Sequence, residues 1–289
     1  MSRRILGLTL LSASLVPCFS CGDEKILFEK QSPYNLIVVT EDEQGLRTLR
    51  FERHGVRQSV VKVGDPDHLE LPYARAMFAG LAFCDNPRRV LIVGLGGGTL
   101  PAFLHKHYPQ TLIDVVDIDP GVVQAARTYF GFREDQTLRS HVADGRRFIE
   151  QAKAPYDMIL LDAFGAENIP YHLATQEFLR SVRRATAPSG IVVANIWSRG
   201  SNLLYDSMVR TYQEVFDDLY ILQVQGAGNE ILLALPRKHE VQRDELARQA
   251  RAISKEKAFR FDLGDVVTYG FTHAKEKNSR GHVLKDQDR

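Results

Sequence analysis

Val90-Leu91-Ile92-Val93-Gly94-Leu95-Gly96-Gly97-Gly98-Thr99-Leu100 is an apolar run that ends in glycines and passes into a helical stretch. The run reads as a buried strand. Glycines after it let the backbone turn tightly and approach a ligand closely, and the free amides at the next helix start can receive polar ligand groups. Such a loop serves a nucleoside or a dinucleotide equally, and a tight strand-to-helix turn uses it with no ligand at all. The downstream spacing narrows the choice. A second strand ends at Val115-Val116-Asp117-Ile118-Asp119-Pro120, which places a carboxylate about 20 residues past the glycines, where ribose hydroxyls need an acceptor pair. Asp117 is read as that ribose ligand. Asp119, just before Pro120, is equally well a helix N-cap with proline at the favoured first helical position. A third strand ends in Ala143-Asp144-Gly145, where the carboxylate can accept from an adenine amino group or cap the next helix. With Asp162 after the fourth strand, the acids converge on the carboxyl edge of a sheet, where open α/β sheets bind ligands.

Outward from this core the grammar is strand, helix, strand, helix. Strands are predicted at 89–94, 112–118, 140–143, 157–161, 191–196, 219–224 and 230–235, with helices between the first six. This alternation implies a doubly wound, largely parallel α/β sheet covered on both faces. Gln225 to Asn229 is too short for a crossover, so the last of the seven strands is expected to run antiparallel. Residues 35–63 alternate apolar and polar positions around the turn-rich 41–45, and 26–65 reads as a small antiparallel β unit. A helix is expected over 73–83. The domain of interest spans 68–237, and 238–289 is expected to be a polar helix near 241–253 followed by a tail that is mobile after Ala274.

In these motifs the chain resembles the spermidine synthases, over about 32–236, with a Rossmann-like sheet of the methyltransferase type. The resemblance implies binding of decarboxylated S-adenosylmethionine or of S-adenosylmethionine itself. It assigns cofactor contacts to Gln58, Gly94, Gly96, Gly98, Asp117 and Asp144, makes Asp162 the first aspartate of the catalytic loop, and sets Tyr73 at the substrate border. The departures matter as much. The family's glycine loop carries an aspartate, which holds the aminopropyl ammonium, where this chain has Gly97. Its second loop aspartate aligns with Gly165, and its polyamine-holding residues align with Ala74 and Arg75, the latter expected to repel a diamine. Loss of a base and of an anionic cradle undermines aminopropyl transfer. The combination of Leu71-Pro72-Tyr73-Ala74-Arg75-Ala76-Met77 with the loop and Pro101 is similar to the branch whose members behave as methyltransferases. Its catalysis is chiefly alignment in a desolvated channel.

Candidates around the acceptor, a small-molecule or protein amine, are Asp162, Phe164, Glu167, Tyr171, His172 and Trp197 with Asn195. Asp162 is the catalytic candidate, His172 reads as structural, and Trp197 as pocket wall or rim. His105 and His107 stand two apart on a helix and face different ways, and no Cys/His spacing suits a metal, so none is expected. A dinucleotide dehydrogenase is the main competitor for the glycine loop, but nothing in the second half suggests a nicotinamide subsite. Two further functions compete with methyl transfer: a non-catalytic exported scaffold, and a polyamine enzyme whose cradle is rebuilt from Asp162 and Glu167.

The 289 residues carry 37 Lys+Arg against 36 Asp+Glu, so no global field draws the chain to nucleic acid or anionic membrane. Residues 1–22 have the layout of a secretory signal: Arg3 and Arg4, an apolar run from Ile5 to Val16, then small and polar residues. Ser20-Cys21-Gly22 resembles a lipoprotein signal end, which would anchor the exported protein to a membrane through lipidated Cys21. A plain cleaved signal, or a misassigned start on a cytoplasmic enzyme, would account for the same residues. Cys84 is left alone in the mature chain and is expected to be buried. The resemblance also implies a homodimer through the N-terminal β unit.

Overall fold

The computed structural model describes residues 24–165 and 169–288. The leader with Cys18 and Cys21, and the acceptor candidate Glu167, lie outside the described residues. The N-terminal unit is a four-stranded antiparallel meander of β1 (Lys25–Gln31), β2 (Leu36–Glu41), β3 (Leu46–Arg50) and β4 (Arg57–Lys62). Strand β1 extends the unit beyond the expected hairpin. Most of its residues are exposed, so its sequence lacks the apolar alternation that marks a half-buried strand. Strand β2 is the unit's anchor: Ile37, Val38 and Val39 are buried. The contact with the following domain is close, since a Cβ on Gly121 would stand 2.5 Å from Ile37 Cδ1.

Helix α1 (Pro72–Met77) starts with proline in its first turn and tightens into a 3₁₀ segment, Phe78–Ala82. The second sheet then follows with β5 (Arg89–Val93), α2 (Thr99–His107), β6 (Leu112–Asp117), α3 (Pro120–Tyr129), β7 (Leu138–Val142), α4 (Gly145–Glu150), β8 (Tyr156–Leu161), α5 (Gln176–Ala185), β9 (Thr186–Trp197), α6 (Tyr205–Val215), β10 (Asp218–Gln223), β11 (Asn229–Leu235), α7 (Arg243–Glu256), α8 (Leu263–Gly270) and β12 (Phe271–His273). The order across the sheet is β12-β10-β11-β9-β8-β5-β6-β7. Strands β5 to β9 pair in parallel, and β11 inserts antiparallel between β9 and β10. Strand alternation sends Val90 and Ile92 into one core and Leu91 and Val93 into the other. The sheet is therefore buried on both faces.

The sheet has eight strands rather than seven. The added β12 is three residues long, too short for a periodic signal, and is held by antiparallel pairing to β10 and by stacking of Phe271 and His273 on Tyr220. The C-terminal region also differs from expectation, with two helices where the sequence predicts one. Its tail is docked. Leu284 is buried, its carbonyl accepts from the Gln176 amide at 2.8 Å, and its own amide donates to Thr211 Oγ1. Asp286 receives both Arg146 Nη1 and Nη2, at 2.8 and 2.6 Å, and the Thr175 hydroxyl. One leucine among polar neighbours gives no pattern from which such docking could be read.

Strand order reverses at β5, which has β6 on one side and β8 on the other. Crossovers leave the carboxyl edge in opposite directions there, and the gap between them is a crevice.

Candidate active site

A cavity of about 350 Å³ opens at this switch point, roofed by β4 and the start of α1. The glycine loop forms one wall. Gly94, Gly96 and Gly98 have φ of 102°, 53° and 82°, in the left-handed region that disfavours side chains. Gly94 is the tightest position, because a Cβ there would lie 2.2 Å from the Asp162 carbonyl oxygen. Gly94 and Gly96 line the cavity. Gly98 does not; it is the N-cap residue of α2, and a Cβ on it would meet the Phe132 ring at 2.9 Å. Its part in the loop is packing and turn geometry rather than ligand contact.

Asp117 ends β6 beside the loop. Its carboxylate accepts from the Leu95 amide and from the Asp119 amide, both at 2.9 Å, which fixes its plane toward the cavity it lines. Burial pushes its pKa up to about 6, with the backbone amides opposing the rise. Asp119 is buried and caps α3 through Gly121 while accepting from Ser32 at 2.5 Å; both its oxygens are spent on structure. Asp144 does two things at once. Its Oδ1 caps α4 through the Arg147 amide at 2.9 Å, and Oδ2 stands 3.1 Å from His172 Nε2. His172, which reads from the sequence as structural, is thus the partner of the Asp144 carboxylate and lines the same cavity.

At the far end Asp162, the residue after β8, is half-buried in the cavity wall. Its Oδ1 accepts from Asn195 Nδ2 at 2.8 Å, and Asn195 Oδ1 accepts from Asn229 Nδ2 at 2.9 Å. The Tyr73 hydroxyl donates to the Gln58 carbonyl at 3.3 Å and stands beside the Asp162 carboxyl. Desolvation raises the Asp162 pKa to about 7, with Asn195 and Tyr73 opposing the rise. The Tyr73 hydroxyl is pushed up in turn, by burial first and by the neighbouring carboxyl second. Phe164 and Trp197 meet edge to face with centroids 5.8 Å apart and, with Tyr73, give this end an aromatic wall.

Two sequence expectations change here. Arg75 does not line the cavity: it is exposed and donates through Nε to the Leu69 carbonyl at 3.0 Å. On a helix the residue two after Tyr73 points away from the face Tyr73 presents, so its charge cannot repel a bound diamine as expected. Gly97 also faces away from the cavity. A Cβ on it would stand 2.9 Å from both Ser59 Oγ and Val61 Cγ2 and 3.1 Å from Phe130 Cδ1. The place of the absent acid is filled by β4. Asn229, which reads only as a turn residue after Gly226-Ala227-Gly228, is a buried member of the site; the composition of a strand end carries no sign of such a relay.

Residues 72–221 match the spermine/spermidine synthase domain. The chain belongs to the spermine/spermidine synthase family. Within the family it is 40% identical over 238 residues to a polyamine aminopropyltransferase of Vibrio vulnificus, covering 80% of this chain and 79% of that protein. It is 34% identical over 210 residues to the eEF1A lysine and N-terminal methyltransferase of Bos taurus, covering 66% of this chain but only 30% of that longer protein. The structure of human methyltransferase-like protein 13 in complex with SAH matches 65% of the chain with a TM-score of 0.59 and 32% identity. The protein is accordingly a transferase of the S-adenosylmethionine type. What is present fits a nucleoside: a glycine wall where a Cβ on Gly94 would collide, and a half-buried acid, Asp117, facing the cavity. Among the described residues no group of three or more His, Cys, Asp or Glu side chains could hold a metal.

Proposed function

We propose that this protein is an S-adenosylmethionine-dependent methyltransferase acting on an amine. The observation that carries the reading is the packing at Gly97. Decarboxylated S-adenosylmethionine bears an ammonium with no carboxylate beside it, so an enzyme that prefers it needs an acid at that end, and β4 occupies the space where the family's acid would stand. The acceptor end suits proton removal from an amine: Asp162 is desolvated, titrates near neutrality, and is held through Oδ1 by Asn195. Gln58, Gly94, Gly96 and Asp117 would hold the nucleoside, with Asp144 and His172 at the base. Bound S-adenosylmethionine supplies an electrophilic methyl group whose carbon–sulfur bond breaks with its electrons retained on sulfur as the amine nitrogen takes the carbon. Asp162 takes the proton that an ammonium must lose before its nitrogen can attack. Phe164, Trp197 and Tyr73 exclude water and align the amine.

Aminopropyl transfer is the second reading, favoured by the name of the Vibrio vulnificus relative and its coverage of four-fifths of this chain. On either reading the apolar leader 1–22 supports export, with Cys21 as the anchoring residue. Parallel calorimetric titrations of the protein lacking residues 1–22 with S-adenosylmethionine, its decarboxylated form and methylthioadenosine test the assignment. Tighter binding of the intact cofactor is expected; preference for the decarboxylated form would restore aminopropyl transfer, and no binding of any would leave a scaffold.

A further inference from the structure

Asn195 and Asn229 are 2% and 7% exposed and line the cavity beside Asp162. They sit on adjacent antiparallel strands, Asn229 opposite Trp197 and Asn195 opposite Ile231. An asparagine amide has one accepting end and one donating end. Because Asn229 donates into the Asn195 oxygen, Asn195 has only its NH₂ left to present to Asp162. The relay therefore has a direction, and in it Asp162 meets a donor. A donor favours the ionised carboxylate, against the desolvation that favours the neutral acid.

We propose that Asn195 is a positioning residue for the transfer step, oriented by Asn229, and that the pair holds Asp162 by Oδ1 so that the rest of the carboxyl faces the acceptor amine as a proton acceptor. This rests on the reading of Asp162 given above. The other elements around Asp162 contribute the Tyr73 hydroxyl, from α1, and the backbone at Gly94, from the loop after β5. Among the described residues no charged side chain adds to its titration. The asparagines are thus the polar lever on this group opposite Tyr73. A purely structural role, satisfying buried amides, would bear on stability and leave the titration of Asp162 where it is.

The test is the titration of Asp162 by carbon NMR of the protein labelled at aspartate carboxyls, with the resonance assigned by its loss in Asp162→Asn. Asn195→Leu and Asn229→Leu keep the side-chain shape and remove the relay; calorimetry with S-adenosylmethionine checks that each is folded. The Asp162 midpoint is expected to rise by on the order of one pH unit in Asn195→Leu. A smaller rise in the same direction is expected in Asn229→Leu, where Asn195 is free to turn its oxygen inward. If Asn195→Leu does not fold, Asn229→Leu carries the test alone. An unmoved midpoint in the folded variants overturns the proposal. Putrescine and a short peptide with a free amino terminus then serve as acceptors, and with whichever is turned over the acid limb of kcat/KM must move with the midpoint; a uniform loss at every pH overturns the proposal as well. A shifted midpoint with neither acceptor turned over upholds the relay and counts against the acceptor class instead.

Discussion

Replacing Gly97 is the sharpest perturbation of the cofactor reading, because the residue is the family's acid position and yet faces a packed wall. Gly97 is not among the glycines with positive φ, so its backbone accepts any residue and the effect is one of packing alone. A Cβ would sit 2.9 Å from Ser59 Oγ, 2.9 Å from Val61 Cγ2 and 3.1 Å from Phe130 Cδ1. Carbon contacts relax at about 3.5–4.0 Å, so β4 must move outward by more than half an ångström. Overpacking of this kind costs about 1–3 kcal/mol. Aspartate adds a polar group in a packed place, which costs at least the roughly 1–3 kcal/mol of a neutral polar group on the protein mutational scale. Urea denaturation is expected to show Gly97→Ala destabilised by about 1–3 kcal/mol and Gly97→Asp by roughly 2–6 kcal/mol. Val61→Ala in the Gly97→Ala background should recover part of the loss. Calorimetry of Gly97→Asp should show weaker binding of both S-adenosylmethionine and its decarboxylated form. A Gly97→Asp protein as stable as the parent and newly selective for the decarboxylated cofactor would refute the reasoning: the carboxylate would have reached the cavity, and β4 would not be what fills the acid's place.

Other consequences can be checked separately. The Asp162 carboxyl, raised to about 7 from 3.8, contributes stability that is fully present below pH 4 and is lost as pH rises through 7; Asp162→Asn removes that slope. Relative to the variant, the parent should lose roughly 2–4 kcal/mol between pH 4 and 8 in urea titrations, and parallel stability curves would count against a desolvated, protonating Asp162. Gly94→Ala forces a Cβ against the Asp162 carbonyl at positive φ, and a loss of more than about 3 kcal/mol is expected; stability within about 1 kcal/mol of the parent would mean that the loop has another geometry. Trp197→Ala should leave calorimetric S-adenosylmethionine affinity within about threefold while raising the acceptor KM tenfold or more, of the order of 1.4 kcal/mol, the reverse split placing Trp197 on the cofactor side. Leu284→Ala should cost about 2–5 kcal/mol in thermal or urea denaturation, whereas an unchanged midpoint would show that the tail is not docked.

The fold was legible where burial and period coincide. Residues 90–93 of β5 and 158–161 of β8 are continuous apolar runs because both faces are covered there, β6 contributes Val115 and Val116, and the strand ends are marked by Gly94, Asp117 and Asp162. Legibility failed where pairing, rather than pattern, makes the element. Strand β1 is largely exposed and exists by registering on β2, and β12 is three residues caught on β10. The docking of Leu284 depends on a groove assembled from α5 and α6, which no local pattern announces. The same division holds in the site. Asp117 and Asp144 can be placed from spacing because each ends a strand, and the direction of Arg75 follows from helical geometry once α1 is placed. The Asn195–Asn229 relay could not be placed, since it needs the insertion of β11 beside β9, and only that long-range pairing sets two amides end to end.

The loss of acids from this site has a physical counterpart in what remains. An anionic cradle holds a polyamine by charge, and charges that hold a cation work best when they stay ionised and solvated enough to do so. Asp162 is the opposite: half-buried, with no cation against it among the described residues, and titrating near neutrality through desolvation. A carboxyl so placed is a poor anchor for a permanent ammonium but can accept a proton and release it again near physiological pH. The aromatic wall of Tyr73, Phe164 and Trp197 adds alignment without charge. On the reading proposed above, a site that has exchanged standing charge for a titratable, oriented carboxyl would transfer a methyl group onto an amine that it deprotonates rather than grip a dication. The pH dependence of the acceptor KM separates the two. A site that works by proton uptake gives a KM that improves as pH rises through the Asp162 midpoint, whereas a charge cradle gives a KM that is flat across that range.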